Sequence, residues 1–322
     1  MTKKLFFSIV LFFCLIIPAM AAGNKEASQQ PSAEDGRLSV YVSIMPQSYF
    51  VQRIGGERVS VEVMVRPGRS PATYEPLPNQ ISGLADADVF FTIGVPFERV
   101  FLPKIEKSLA DLKIVDTSEG IEKRQLEEHG HEGEEEGHDE HESDHDDHDA
   151  DHEDEAGHDH GGEDPHVWLS PALVVRQAEI ISETLAALDP AGASFYRQRF
   201  EEFSAELKAL DTEIEEILSP FRDEVVFVFH PSFGYFTDRY GLRQVAVEIG
   251  GKEPSPAELE EIIEHAREEG AKIIFAQPEF SRRSIDAIAA AVGARVVVLN
   301  PLDPEYQLNL RNMADEIRKA YR

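Results

Sequence analysis

Residues 225–240 read VVFVFHPSFGYFTDRY. An unbroken apolar run rich in Val and Phe, from Val225 to His230, is the pattern of a strand buried on both faces. The segment that follows, Pro231 to Tyr240, has helix-compatible spacing. Moving outward, the same alternation recurs. Gln244 to Ile249, Lys272 to Gln277 and Arg295 to Asn300 read as further strands, with helices at Pro256 to Glu269, Ser281 to Val292 and Glu305 to Tyr321 between and after them. The helix after Ser255 is well marked: Ser255 as N-cap, Pro256 in the first turn, Glu258 completing a capping box and Gly270 past the last turn. The N-terminal half carries strands at Leu38 to Met45, Val59 to Val65, Val89 to Gly94 and Ile114 to Thr117, with helical spacing at Tyr49 to Gly55 and Asn79 to Ala85. Strands alternating with helices predict two doubly wound α/β lobes, over residues 37–170 and 224–322.

Between the halves, residues 171–219 read as linking helices. Ser170 to Leu188 carries Leu173, Val174, Ala178, Ile181 and Leu185 at helical spacing and stops at Asp189-Pro190. Ala191 to Leu218 then repeats an apolar stripe through Tyr196, Phe203, Leu207, Leu210 and Ile214. At 1.5 Å per residue it would extend about 40 Å, long enough to cross both lobes.

The N-terminus begins with Lys3-Lys4, an apolar run from Leu5 to Ile17 and a small-residue end at Ala19-Met20-Ala21-Ala22. That is the pattern of a cleaved secretory signal peptide over residues 1–22, and it points to a bacterial periplasm. Cys14, the single cysteine, falls inside that segment, so the mature chain is expected to have neither disulfide nor thiolate metal site. The formal net charge is −30, of which 20 negative charges belong to one tract; nothing resembles a basic patch, which argues against nucleic acid and anionic lipid. A monomer is expected.

That tract runs between Leu126 and Pro165, with nine of the chain's 12 histidines among 20 Asp and Glu and no Lys or Arg. With almost no apolar residues, residues 127–163 are expected to form a disordered loop. Composition-driven disorder accounts for the acids but not for the histidines. Imidazole ligates zinc, copper and nickel, and carboxylates neutralise the ion's charge, so the tract reads as metal-holding.

Open α/β sheets bind ligands at the carboxyl ends of their strands. His230 stands at such an end, and His166 stands in DPHVWLSP (164–171), just after the tract and before the first linking helix. Two histidines brought to one cleft by a two-lobed topology favour metal ligation. Tyr74, Trp168, Phe233, Tyr235 and Phe236 would surround them as an aromatic shell or as interface packing. His265, in a charged helix, belongs to a solvated face. Met45 reads as core filler, relevant as a ligand only to a soft ion such as Cu(I).

ISGLADADVFFTIGVPF (81–97), DPHVWLSP, FHPSFGYF (229–236) and Asn300-Pro301-Leu302 together resemble the metal-binding solute receptors of ABC transporters that import zinc or manganese, especially the zinc-uptake group with an acidic His-rich loop. The resemblance implies two lobes joined by a long, rather rigid helix, with one metal in the cleft. It also implies that His166 and His230 are two of the ligands. The other two matches depart from the pattern: Ala72 stands where a His is expected in PATYEP (71–76), and Asn300 replaces an Asp. Zinc in a closed site takes four donors. Three replacements are open: Glu75; Gln277 or Glu279 after a strand of the second lobe; and, ranked first, a tract histidine, His158 or His160, eight and six residues before His166.

The function expected is capture of a divalent transition metal, most of all Zn2+, with Mn2+, Ni2+ and copper as alternatives, and its delivery to an ABC permease. A competing reading is a surface adhesin, or a metal buffer or metallochaperone with a degenerate cleft. A zinc hydrolase is weaker, because the chain has no nucleophile elbow and no catalytic base whose placement the sequence enforces.

Overall fold

The computed structural model describes residues 36–126, 162–247, 255–278 and 282–322. The first lobe is a parallel sheet in the order β2-β1-β3-β4, from β1 (Leu38–Val42), β2 (Val59–Val63), β3 (Val89–Thr92) and β4 (Lys113–Asp116). Its helices are α1 (Met45–Gly55), α2 (Pro78–Ala85) and α3 (Pro96–Ile105). Two linking helices follow, α4 (Pro171–Leu188) and α5 (Ala193–Leu218). The second lobe repeats the strand order as β6-β5-β7-β8, from β5 (Val225–Val228), β6 (Arg243–Ala246), β7 (Ile273–Ala276) and β8 (Arg295–Val298), with α6 (Gly234–Tyr240), α7 (Pro256–Glu268), α8 (Arg282–Val292) and α9 (Tyr306–Tyr321).

Every residue of β3, β5 and β7 is buried, which is why these strands show no polar alternation, the one polar residue being Thr92 at the end of β3. Helix α7 opens with the expected capping box: Ser255 N–H donates to Glu258 Oε2 at 2.6 Å and Glu258 N–H to Ser255 Oγ at 3.4 Å. Gly270 then takes a left-handed φ of 64°. Three details differ from the sequence reading. Met45 lies at the start of α1 rather than in a strand. Helix α3 was not expected, because Pro103 sits inside it and masks its pattern. And β5 stops at Val228, so Phe229 and His230 leave the ladder before α6 begins at Gly234.

One apolar core runs from Val42 and Phe91 in the first sheet, through Phe203, Leu207 and Leu210 of α5, to Val228, Leu310 and Met313 in the second lobe. A separate cluster, with Phe227, Ile274, Ile285 and Ile288, fills the other face of the second sheet. Helix α5, 26 residues long, is held from both sides. Its Glu206 accepts from Arg53 of α1 at 2.6 Å and from Gln307 of α9 at 3.0 Å, while Arg239 of α6 grips its Asp211. Among the described residues no helix is long and apolar enough to cross a membrane.

Candidate metal centre

In strand order 2-1-3-4, neighbouring connections diverge between the first and third strands, and the carboxyl ends there form a crevice. The two lobes fill theirs differently. In the first, the wholly buried Gln47 accepts from the main-chain N–H of Ser43 (3.1 Å) and Ile44 (3.2 Å) and donates to Thr92 O and Thr117 Oγ1, both at 3.0 Å. Beside it, the carboxylate of Glu98 accepts from Ile93 N–H at 3.1 Å and Gly94 N–H at 2.8 Å. Burial pushes that carboxyl up to about 7, against these hydrogen bonds, which favour its charged form. In the second lobe the corresponding crevice presents His230.

His230 is fixed through its main chain. Gln277, 1 % exposed just beyond β7, accepts from His230 N–H at 3.2 Å and donates to His230 O at 2.8 Å and to Ser232 Oγ at 3.0 Å. Both ends of its amide are thus engaged in shaping the His230 turn. The sequence reading offered Gln277 as a ligand; in the structure its amide is hydrogen-bonded to residues 230 and 232.

His166 is fixed through its side chain. Its Nδ1 lies 2.6 Å from Oδ1 of Asp164, which also accepts the His166 main-chain N–H at 2.9 Å. A carboxylate oxygen only accepts, so Nδ1 carries the proton, and in the neutral imidazole that is the tautomer whose Nε2 can bind metal. The Trp168 ring packs 5.1 Å from the imidazole, and its Nε1 donates to Pro301 O at 2.8 Å, tying the His166 segment to the second lobe. The rings of His166 and His230 meet edge to face with centroids 5.3 Å apart. Both expected histidines are therefore brought together, from opposite sides of the cleft.

The other expected residues are distributed as follows. Ala72 and Glu75 are exposed on the first lobe, and Tyr74 between them packs on Phe97 and donates to Gln80 at 2.5 Å. Asn300 Oδ1 accepts from Leu302 N–H at 2.9 Å, which closes a turn that Asn309 braces through Asn300 O. Phe233 and Phe236 are core residues. Tyr235 is buried enough for its hydroxyl to be pushed up to about 12, so it remains a neutral donor, to Asp164 O at 2.9 Å. His265 lies on a half-exposed helix face near Glu269. His158, His160 and Glu279, like the signal segment, lie outside the described residues. Among the described residues no group of three or more His, Cys, Asp and Glu is placed to hold an ion. The described part of the centre is a histidine pair.

Sequence reasoning missed Asp164 and Gln47. The first had a signal, a carboxylate two residues before the candidate histidine in Asp-Pro-His. The second had only a faint one, a glutamine in the otherwise apolar start of α1.

A family model described as ZnuA, zinc-uptake complex component A periplasmic, matches residues 40–320. The chain is 29% identical over 307 residues to the high-affinity zinc uptake system protein ZnuA of Bacillus subtilis strain 168, covering 94% of this chain and 90% of that one. It is 25% identical over 299 residues to the manganese-binding lipoprotein MntA of Halalkalibacterium halodurans, covering 91% and 88%. A crystal structure of ZnuA superposes with a TM-score of 0.76 at 37% identity, over 88% of this chain and 99% of that one.

Proposed function

The chain belongs to the ZnuA family of periplasmic zinc-uptake components, and from that membership we propose that it captures zinc outside the cytoplasm and hands it to an ABC permease. One observation carries the site: two histidines on separate lobes meet at 5.3 Å, one of them with its tautomer set by a buried carboxylate. Imidazole donors favour zinc over manganese, which prefers oxygen. Zinc is cargo here, so a pair of strong donors with open positions suits a site that must also release its ion.

Within this reading the ligands are His166 and His230. The third donor is a tract histidine, His158 or His160, which lie close to His166 along the chain and supply the imidazole that position 72 lacks. Glu75 and Asn300 rank behind, one exposed and the other engaged in its own turn. The rest of the tract, with its many histidines, collects several ions weakly. The protein works as a periplasmic monomer after removal of residues 1–22, with lobes 37–170 and 224–322 joined by the linking helices 171–219.

The test is a zinc titration of the mature chain. His166→Ala and His230→Ala each abolish the one tight ion, an expected loss of about a thousandfold, or about 4 kcal/mol. The paired change His158→Ala with His160→Ala weakens it measurably. Deleting residues 127–163 lowers the number of weakly bound ions and, because it removes His158 and His160, weakens the tight one as well. Unchanged tight binding in both single variants would sink the proposed centre.

A further inference from the structure

Asp164 and Arg124 face each other across the base of the histidine-rich tract. Gln125 and Glu163 form an antiparallel bridge, Leu126 N–H donates to Gly162 O at 3.1 Å, and Asp164 N–H donates to Arg124 O at 2.8 Å. The Asp164 side chain is wholly buried, and its two oxygens divide their partners: Oδ1 serves His166, while Oδ2 lies 3.4 Å from Arg124 Nη1. Arg124 also reaches across to α6 of the second lobe. Its Nε is 3.1 Å from Asp238 Oδ2, its main-chain N–H donates to Tyr235 Oη at 3.0 Å, and the guanidinium lies 6.0 Å from the Tyr235 ring centre.

The place occupied by this guanidinium exists because residue 234 is glycine. A Cβ there would fall 1.2 Å from Arg124 Nη1 and 2.3 Å from Cζ, and its three nearest neighbours all belong to Arg124. Gly234 is not among the positive-φ glycines. The missing side chain therefore answers a need for space, not for an unusual backbone conformation.

We infer that Arg124 is a positioning residue for the metal centre: seated in the gap over Gly234, it holds the Asp164 carboxylate so that His166 keeps its proton on Nδ1 and offers Nε2 to the metal. This rests on the reading of His166 as a ligand. The physical argument is one of orientation. A buried carboxylate turns towards whichever donors surround it, and with Arg124 engaging Oδ2 the other oxygen stays aimed at Nδ1. Without that grip the carboxylate can rotate off the imidazole, and His166 samples both tautomers and other ring orientations. Because Arg124 is also bound to α6, which follows closely after His230, the same side chain helps set the relation between the two ligands. Outer partners of metal-bound histidines commonly matter at the level of ten- to hundredfold in affinity.

The experiment uses the full mature chain in four forms besides wild type: Gly234→Ala, Arg124→Met, the two combined, and His166→Ala. Two quantities are read: the affinity of the tightest zinc ion by chelator competition, and the imidazole tautomer of His166 by nitrogen-15 NMR of the metal-free, histidine-labelled protein. Wild type is expected to show one tautomer, protonated at Nδ1. Gly234→Ala leaves every charge in place and evicts only the guanidinium; it and Arg124→Met each give mixed tautomers and an affinity about ten- to hundredfold weaker. The double variant is no weaker than Arg124→Met alone, since both remove one interaction. A Gly234→Ala protein with wild-type affinity and a single tautomer overturns the inference, as do additive effects in the double variant. Should Arg124→Met fail to fold, Gly234→Ala decides by itself. Loss of tight binding in His166→Ala alongside unaffected Gly234→Ala and Arg124→Met proteins overturns only the role of Arg124; tight binding retained in His166→Ala overturns the metal centre itself.

Discussion

The two lobes have the same strand order and each buries a glutamine at its crevice, after the first strand in one (Gln47) and after the third in the other (Gln277), yet the two amides are put to different uses. In the first lobe Gln47 makes four hydrogen bonds that join the ends of β1, β3 and β4, and Glu98 caps the main chain just beyond β3. That crevice is sealed by its own polar groups. In the second lobe Gln277 makes three hydrogen bonds, all to the 230–232 turn, and that turn carries His230, the proposed ligand. The first lobe supplies its histidine instead from the connection after β4, braced by Asp164. A shared topology fixes where a crevice lies; the hydrogen-bonding partners of one buried amide decide whether it is closed or used.

This contrast can be broken most forcefully at Gln47. Gln47→Leu orphans buried partners in the first lobe, and we expect a loss of about 4 kcal/mol in folding stability, measured by denaturant unfolding, with the affinity for the tight zinc ion unchanged. A Gln47→Leu protein of normal stability and weakened zinc binding would show that the first crevice is functional after all.

Glu98 sharpens the same point through pH. Unfolded, its carboxyl titrates near the ordinary value of 4.5; folded, burial holds it at about 7. Between those values the folded state binds the extra proton, so this group makes stability fall as pH rises through the window, by up to about 3 kcal/mol. Glu98→Gln keeps an acceptor for the Gly94 N–H and should remove that slope, giving a flatter stability profile between pH 5 and 8. An unaltered slope would place the titrating group elsewhere.

Gln277 is the opposite case. Gln277→Leu should weaken zinc binding about ten- to hundredfold by releasing the His230 turn. The comparison between the lobes fails if affinity holds and only stability drops.

The smallest expected effect is a gain. Ala72→His restores an imidazole to the first lobe and should tighten zinc about tenfold, roughly 1.4 kcal/mol, while making His158 and His160 dispensable. Unchanged affinity with continued dependence on the tract would mean that position 72 does not face the ion.

Much of this protein was legible because its signals are local. Val225 to Val228 and Val89 to Phe91 are apolar without alternation because helices cover both faces of the sheet, and that alone predicts a parallel α/β lobe. Ser255, Glu258 and Gly270 mark helix ends through contacts a few residues apart. His166 and His230 were found because each lies in a distinctive motif. Helix α3 was lost because Pro103 contradicts the pattern that the rest of it obeys.

What only the tertiary structure decided is the use of each polar side chain across long separations. Gln277 meets His230 at a separation of 47 residues, Gln47 meets Thr117 at 70, and Arg124 meets Tyr235 at 111. A hydrogen bond is set by a few tenths of an ångström and an angle, and neither composition nor periodicity carries that information. The sequence by itself determined two α/β lobes, a long connecting helix and the two motifs whose histidines the fold brings together. Folding decided which neighbours hold those histidines, because burial obliges every amide and carboxylate in the cleft to find a partner, and the available partners come from distant parts of the chain.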